Sequence, residues 1–495
     1  KPALQALRER RVRYHPESQH QFAVRSLEEI PDWNISRQLW WGHQIPAWYC
    51  EDCQAVNVPK PERYLEDPTS CEACGSPRLK RDEDVFDTWF SSALWPLSTL
   101  GWPEETEDLK AFYPGDVLVT GYDILFLWVS RMEVSGYHFM GERPFKTVLL
   151  HGLVLDEKGQ KMSKSKGNVI DPLEMVERYG ADALRFALTY LATGGQDIRL
   201  DLRWLEMARN FANKLYNAAR FVLLSREGFQ AKEDTPTLAD RFMRSRLSQG
   251  VEEITALYEA LDLAQAAREV YELVWSEFCD WYLEAAKPAL KAGNAHTLRT
   301  LEEVLAVLLK LLHPMMPFLT SELYQALTGK EELALEAWPE PGGRDEEAER
   351  AFEALKQAVT AVRALKAEAG LPPAQEVRVY LEGETAPVGE NLEVFRFLAR
   401  ADLLPERPAK ALVKAMPRVT ARMPLEGLLD VEEWRRRQEK RLKELLALAE
   451  RSQRKLASPG FREKAPKEVV EAEEARLREN LEQAERIREA LSQIG

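Results

Sequence analysis

The chain has 495 residues and a formal net charge of −14. That length suggests about three domains, and the acidic balance excludes a generally basic nucleic-acid coat, so an RNA partner must be met on local basic faces. No apolar run approaches the roughly 18 residues of a membrane span. The start at Lys1-Pro2-Ala3-Leu4 lacks the apolar stretch of a signal peptide. Of five cysteines, four fall in Cys-x-x-Cys pairs, which points to a reducing, cytoplasmic compartment and a metal rather than disulfides.

Residues 1–48 read as a connection arriving in a folded domain, with Arg11-Val12-Arg13-Tyr14 as a short strand. Lys1 is not a start methionine, and the chain reads as the later part of a longer protein cut at a domain edge. Within residues 32–50, Trp33, Trp40, Trp41, Arg37 and His43 have the composition of a packed aromatic corner. Residues 49–83 hold Cys50, Cys53, Cys71 and Cys74. Each pair can put two thiolates on one turn, and two facing turns give the four sulfurs of tetrahedral zinc. No open coordination position is suggested, so this zinc is structural; a redox dithiol is the alternative. Cys279 stands alone in an aromatic helix, as inert core.

Residues 84–202 carry the candidate site. In Asp87-Thr88-Trp89-Phe90-Ser91-Ser92, a tryptophan beside small hydroxyls can wall a pocket for a small branched side chain, or be plain core. Residues 117–137 and 147–179 are strand-then-helix units, which imply a parallel sheet with nucleotides bound at the carboxyl ends of its strands. In the first unit, Gly121 permits close backbone approach and Asp123 opens the helix. An acidic residue at such a turn accepts both hydroxyls of a ribose, or is only an N-cap. In the second, the strand ends at His151-Gly152, where backbone can meet an adenine. Then comes Lys161-Met162-Ser163-Lys164-Ser165-Lys166-Gly167, lysines spaced by small hydroxyl residues. Lysines on such a loop suit negative charge that moves during phosphate chemistry, although many lysine-rich loops are only solvated turns. Asp171, Pro172 and Glu174 start the next helix as N-cap, first-turn proline and capping-box residue.

Residues 203–340 are helical by their three- and four-residue apolar spacing. Asn213, Asn217, Arg220 and Phe221 share one face there, either a surface for stacking unpaired bases or an ordinary solvated face. His313 is read as structural. Residues 341–429, after a Pro-Gly linker, make a small α/β unit with no catalytic constellation. Residues 430–495 are two long helices around Ala457-Ser458-Pro459-Gly460. Val431, Trp434, Leu442, Leu445, Ala449 and Leu456 give one apolar seam; Val470, Leu477, Ala484 and Leu491 recur every seven residues in the other, so an antiparallel coiled coil is predicted. Its first helix carries basic clusters that include Arg436, Lys440, Arg451 and Arg454, balanced by acidic residues.

The string Lys161-Met162-Ser163-Lys164-Ser165 matches the second signature of class I aminoacyl-tRNA synthetases, which the chain resembles nearly throughout, most strongly over residues 32–201. The Trp-Trp-Gly-His version of residues 40–43, DTWFSSALWP at 87–96 and TGYDILFLWVSRM at 120–132 are similar to the valyl branch; isoleucyl and leucyl types are the rivals. The resemblance implies ATP-dependent attachment of valine to tRNA(Val) through a valyl-adenylate. It also implies the second half of a Rossmann-like catalytic domain with a zinc knuckle, a helical anticodon-binding bundle, a small α/β unit and a C-terminal coiled-coil arm, in a monomer. Lys161 and Lys164 would be catalytic. Gly121, Asp123, His151, Gly152, Met162, Ser163, Lys164 and Ser165 would bind ATP with its Mg2+, and Trp89 would bind valine. Asn213, Asn217, Arg220 and Phe221, and the arm's Arg436, Lys440, Arg451 and Arg454, would meet tRNA. The family's first signature, of His-Ile-Gly-His type, and its editing insertion are absent. The segment alone is therefore expected neither to edit nor to activate valine, and a non-catalytic tRNA-binding module is the competing reading.

Overall fold

A computed structural model describes residues 1–458, 460–461 and 465–494, so Pro459 of the expected helical turn lies outside the described residues. The chain forms two compact units. One comprises Lys1–Arg209 and Ala256–Arg268, the other Asn210–Thr255 and Glu269–Gly495. Among the described residues, no helix is long and apolar enough to cross a membrane.

The first unit is built on three parallel strands: β1 (Arg13–His15), β2 (Gly115–Gly121) and β3 (Phe145–His151), ordered β1-β3-β2. Period-two alternation buries Val148 and Leu150 of β3, Phe145 is buried at its start, and helix Ser130–Phe139 returns Met132 to the same core. Each fully buried side chain of this kind contributes about 1.5–3 kcal/mol. The first thirty residues are more than the arriving connection expected. Val12 and Tyr14 are core residues, β1 pairs with β3, and helices Pro2–Arg8 and His20–Glu28 add Leu7, Ala23 and Leu27. After β2 the chain does not enter an α-helix at once. It runs through a 3-10 turn, Tyr122–Ile124, and a π-helical turn, Leu125–Val129. A two-strand ladder, Ser36–Arg37 with Val85–Phe86, and a small sheet of Trp48–Cys50, Val56–Asn57 and Leu79–Arg81 complete the unit's β structure before the site.

The second unit contains long helices, among them Ala295–Leu312 and Pro317–Thr328, and a four-stranded sheet. The sheet is ordered Ala401–Leu403, Val377–Gly383, Val419–Met423, Leu412–Ala415. Two further helices, Val431–Ala457 and Lys467–Ile494, run antiparallel, since Arg435 reaches the carbonyl of Ile494 (3.3 Å) and Ser452 the carboxylate of Glu473 (2.8 Å). Trp434, Leu445, Ala449 and Leu456 of the first helix and Ala484, Ala490 and Ile494 of the second are buried. Val431, Leu442, Val470, Leu477 and Leu491 are only partly covered, and Glu473 is buried in their line.

Candidate functional site

Gly121 and His151 end β2 and β3 and pair in register. A Cβ on Gly121 would lie 2.6 Å from Asp123 Oδ1 and 3.6 Å from His151 Cε1, so the Asp123 carboxylate folds back over the strand ends beside the imidazole. Asp123 does not cap a helix, contrary to expectation. It lies inside the 3-10 turn with no side-chain cap, and its exposed carboxylate accepts no hydrogen bond among the described residues. Gly152 is forced: a Cβ there would sit 1.9 Å from the carbonyl oxygen of Gln196. The next residue, Asp197, accepts from the Leu153 N–H (2.8 Å) and the Tyr122 hydroxyl (3.4 Å), tying the exits of the two strands together. Sequence reading missed Asp197. A cavity of about 120 Å³ at these strand ends is lined by Leu149, His151, Gly152 and Gly195, and by no lysine.

The lysine loop leaves through Val154–Leu155, which pairs parallel with Ile198–Arg199. Two side chains clasp it. Asp156 Oδ1 accepts the N–H groups of Lys158 (3.0 Å) and Gln160 (2.7 Å), and its Oδ2 accepts from the Asn168 amide (2.9 Å). Asn168 in turn accepts from Ser163 N–H (2.9 Å) and donates to the Lys161 carbonyl (3.3 Å). The Asn168 amide, then the Gln160 N–H, hold the Asp156 carboxyl below its ordinary value. Met162 faces inward, its sulfur accepting from Ile170 N–H (3.3 Å), while Ser163 and Ser165 meet through their hydroxyls (3.2 Å). Lys161, Lys164 and Lys166 are exposed and form no ion pair among the described residues. Asp171 caps the following helix through the Leu173 N–H.

Trp89 is half-buried on the five-residue helix Thr88–Ser92. Asp87 starts that helix by accepting from Trp89 N–H (2.8 Å) and pairs with Arg37 (2.6 Å). Trp40 and Trp41 form no packed corner: they are 102% and 90% exposed.

The sulfurs of Cys50, Cys53, Cys71 and Cys74 lie within 4.8 Å of one another, at 3.6 Å for Cys50 and Cys74 and 3.5 Å for Cys53 and Cys71. A tetrahedron with Zn–S bonds near 2.3 Å needs sulfurs about 3.8 Å apart, so the set fits. The buried Asn57 amide donates to Cys71 Sγ (3.7 Å), as a partner of a thiolate would. Cys279, by contrast, is pushed up to about 12 by burial, consistent with inert core, and His313 meets Thr320 (2.8 Å).

In the second unit, Asn213, Asn217 and Arg220 are exposed on one helix face, but Phe221 is not the exposed aromatic expected. It is half-buried with the Lys287 ammonium 5.5 Å over its ring, and Tyr216, 50% exposed, takes that place. Arg436, Lys440, Arg451 and Arg454 are all exposed, with Lys443 in the same line. Arg454 pairs with Glu450, whereas Lys440, Lys443 and Arg451 have no ion-pair partner among the described residues.

Comparison with known proteins follows the same division. Residues 1–201 match the model of class I tRNA synthetases (I, L, M and V), residues 240–381 the anticodon-binding domain of tRNA ligase, and residues 430–495 the valyl tRNA synthetase tRNA binding arm. A valine-tRNA ligase of Thermus thermophilus is 96% identical over 492 residues, 99% of this chain and 57% of that protein. Those of Deinococcus radiodurans and Thermotoga maritima are 49% and 45% identical over 95% and 100% of the chain, and 55% and 58% of their own lengths. The chain thus spans little more than half the length of these relatives. Among solved structures, the LeuRS of Agrobacterium radiobacter K84, in a ternary complex with tRNA and LeuAMS, aligns with TM-score 0.52 at 22% identity over 67% of this chain and 46% of that one. Mycobacterium tuberculosis methionyl-tRNA synthetase with methionyl-adenylate aligns with TM-score 0.52 at 20% identity, over 69% and 65%. These two share the fold. The chain has part of a Rossmann-like catalytic domain, an anticodon-binding domain and a helical C-terminal arm, and it belongs to the class I tRNA synthetase family, in its valine-tRNA ligase branch.

Proposed function

We propose that this chain supplies the lysine-loop half of the active site, and the tRNA-binding surfaces, of an enzyme that attaches valine to tRNA(Val). Valine's carboxylate attacks the α-phosphate of ATP, pyrophosphate leaves, and a terminal ribose hydroxyl of tRNA takes the valyl group from the adenylate. The observation that carries this reading is the unpartnered Asp123 carboxylate held over Gly121 and His151 at the carboxyl ends of parallel strands. An acceptor-only group in that place suits the two hydroxyls of a ribose. The backbone at His151-Gly152 would meet adenine, and Trp89 would contact valine's methyls. Lys161 and Lys164, with Met162, Ser163 and Ser165 shaping their loop, would follow charge onto the departing phosphates. Magnesium arriving with ATP would add to that neutralisation.

Zinc on Cys50, Cys53, Cys71 and Cys74 has a structural role in this reading, because four thiolates close the coordination shell. Asn213, Asn217 and Arg220, with Tyr216 as the stacking ring, would read unpaired bases. The antiparallel arm, a coiled coil in this reading, would set Arg436, Lys440, Arg451 and Arg454 against tRNA phosphates, with salt-dependent affinity. The segment alone is proposed not to activate valine, since the family's first signature is not in it. The test is to graft the segment into the Thermus thermophilus ligase in place of its counterpart and measure ATP–pyrophosphate exchange. Valine should drive it. Exchange driven by isoleucine or leucine instead, or none, would overturn the reading.

A further inference from the structure

Arg131 stands where the two ligand-facing elements of the first unit meet. It follows the π-helical turn Leu125–Val129, which itself follows Gly121 and Asp123 through the 3-10 turn. Its Nη1 donates to the main-chain carbonyls of Phe126 (3.0 Å) and Leu127 (2.9 Å). Its guanidinium lies 4.0 Å over the ring of Trp33 and 5.1 Å over that of Phe126. Trp33 meets Phe90 in a tilted ring contact (6.3 Å), and Phe90 stacks on Phe86 (4.7 Å). Phe90 belongs to the helix Thr88–Ser92 that presents Trp89. The far end of that helix is tied to the same π-helical turn, because Trp128 Nε1 donates to the Ser92 carbonyl (3.0 Å).

The chemistry of this arrangement is specific. No carboxylate lies within ion-pair distance of Arg131 among the described residues, and its Nε is buried with no partner. The cation is therefore committed to two carbonyls and two ring faces rather than to a salt bridge. Only a planar, multiply donating cation does both at once; a lysine keeps the charge but loses the fork and the stacking surface. π-helical turns are rare and concentrate at functional sites, and here the distorted turn is held by side chains that also hold the Trp89 helix.

We propose that Arg131 and Trp128 are positioning residues that lock the Trp89 helix to the Gly121–Asp123 turn, so that the amino-acid pocket and the nucleotide pocket keep one fixed separation. The inference rests on the functional reading above. Adenylate formation needs the carboxylate and the α-phosphorus within about 3–3.5 Å, and a misplacement of about 1 Å costs on the order of 10²-fold in rate. Neither residue touches a ligand in this scheme; each acts through the element it holds.

The experiment uses the full-length Thermus thermophilus ligase carrying this segment, with Arg131→Lys and Trp128→Phe made separately. Each should lower kcat for valine-dependent exchange by about 10²-fold with KM for ATP and the thermal midpoint nearly unchanged. A second readout does not need activity. With 5-fluorotryptophan incorporated, the Trp89 fluorine line, assigned through Trp89→Phe, should be single in the parent and shifted or broadened in both variants. Parental kcat and an unmoved Trp89 line in both variants would overturn the proposal, as would a kcat loss that only tracks a falling thermal midpoint. If the parent graft itself shows no valine-dependent exchange, the functional reading fails, and the fluorine line still decides whether Arg131 and Trp128 hold the helix.

Discussion

Glu133 sits fully buried behind the parallel sheet, where the Tyr14 hydroxyl donates to one carboxylate oxygen and the other has no partner among the described residues. Desolvation pushes its acid group up to about 8, against the hydrogen bond from Tyr14. The folded value thus lies above the ordinary value of 4.5. The proton is kept in the folded state and lost in the unfolded one. The stabilising contribution is full below about 4.5 and is lost as pH rises to about 8. Thermal midpoints measured across that window should fall with pH, and Glu133→Gln should flatten the slope; an unchanged slope in the variant counts against the assignment. At the lysine loop, Lys164→Ala in the grafted ligase should slow adenylate formation on the order of 10²–10³-fold with tRNA affinity unchanged, and equal exchange rates would refute its role. Asn168→Ala should loosen the same loop, seen as faster proteolysis between Asp156 and Asn168. The lysines were legible because their spacing is a fixed string. The Asp156–Asn168 clasp was not, because two polar residues twelve positions apart look like turn residues until the fold pairs them.

At the scale of elements, the cysteine turns and the arm divide in the same way. The Cys-x-x-Cys spacing exposed the sulfur cluster outright, since two residues between thiols leave little geometric freedom. If the cluster holds zinc, one equivalent should be released by thiol modification, and the stripped protein should become protease-sensitive within residues 50–81 while the rest resists. Retained protection would mean the knuckle folds without metal. In the arm's second helix, period-seven reading found Ala484 among the buried positions but named Val470, Leu477 and Leu491, which are only partly covered, and missed Ala490, Ile494 and Glu473, the last because its polarity suggests an outward face. The structure buries it between Ser452 and Lys455, each 2.8 Å away. Lys455, then Ser452, hold the Glu473 carboxyl below its ordinary value of 4.5. This stabilisation is present above 4.5 and lost as pH falls through the lower folded value. Acidification below 4.5 should therefore melt the arm's helices in circular dichroism more readily in the parent than in Glu473→Gln. Phe221 was expected to be the exposed ring and Tyr216 was overlooked for a similar reason: spacing alone does not show which ring on a helix is covered by packing.

For the whole molecule, β2 has a partner on one side alone among the described residues, and Val117 and Val119 on it are 44% and 56% exposed. This leaves apolar surface beside open backbone, a template for association. The segment on its own is expected to self-associate with rising concentration, and Val119→Lys should suppress this in light scattering; a monodisperse parent would contradict it. The parallel sheet was legible from two strand-then-helix units. A short strand near Arg11–Tyr14 was legible too, but its membership in this sheet was not, because its partner residues Thr147 to Leu149 lie far along the chain. That strand has a kinetic consequence. Arg13 pairs with Thr147 and Tyr14 with Val148, so the earliest strand made must wait for the last of the three before it finds its neighbour. Closing so long a loop costs chain entropy before any contact rewards it. During synthesis, Tyr14 and Val12 therefore stay in search of a partner until His151 has cleared the ribosome, and this unit should acquire its native order slowly.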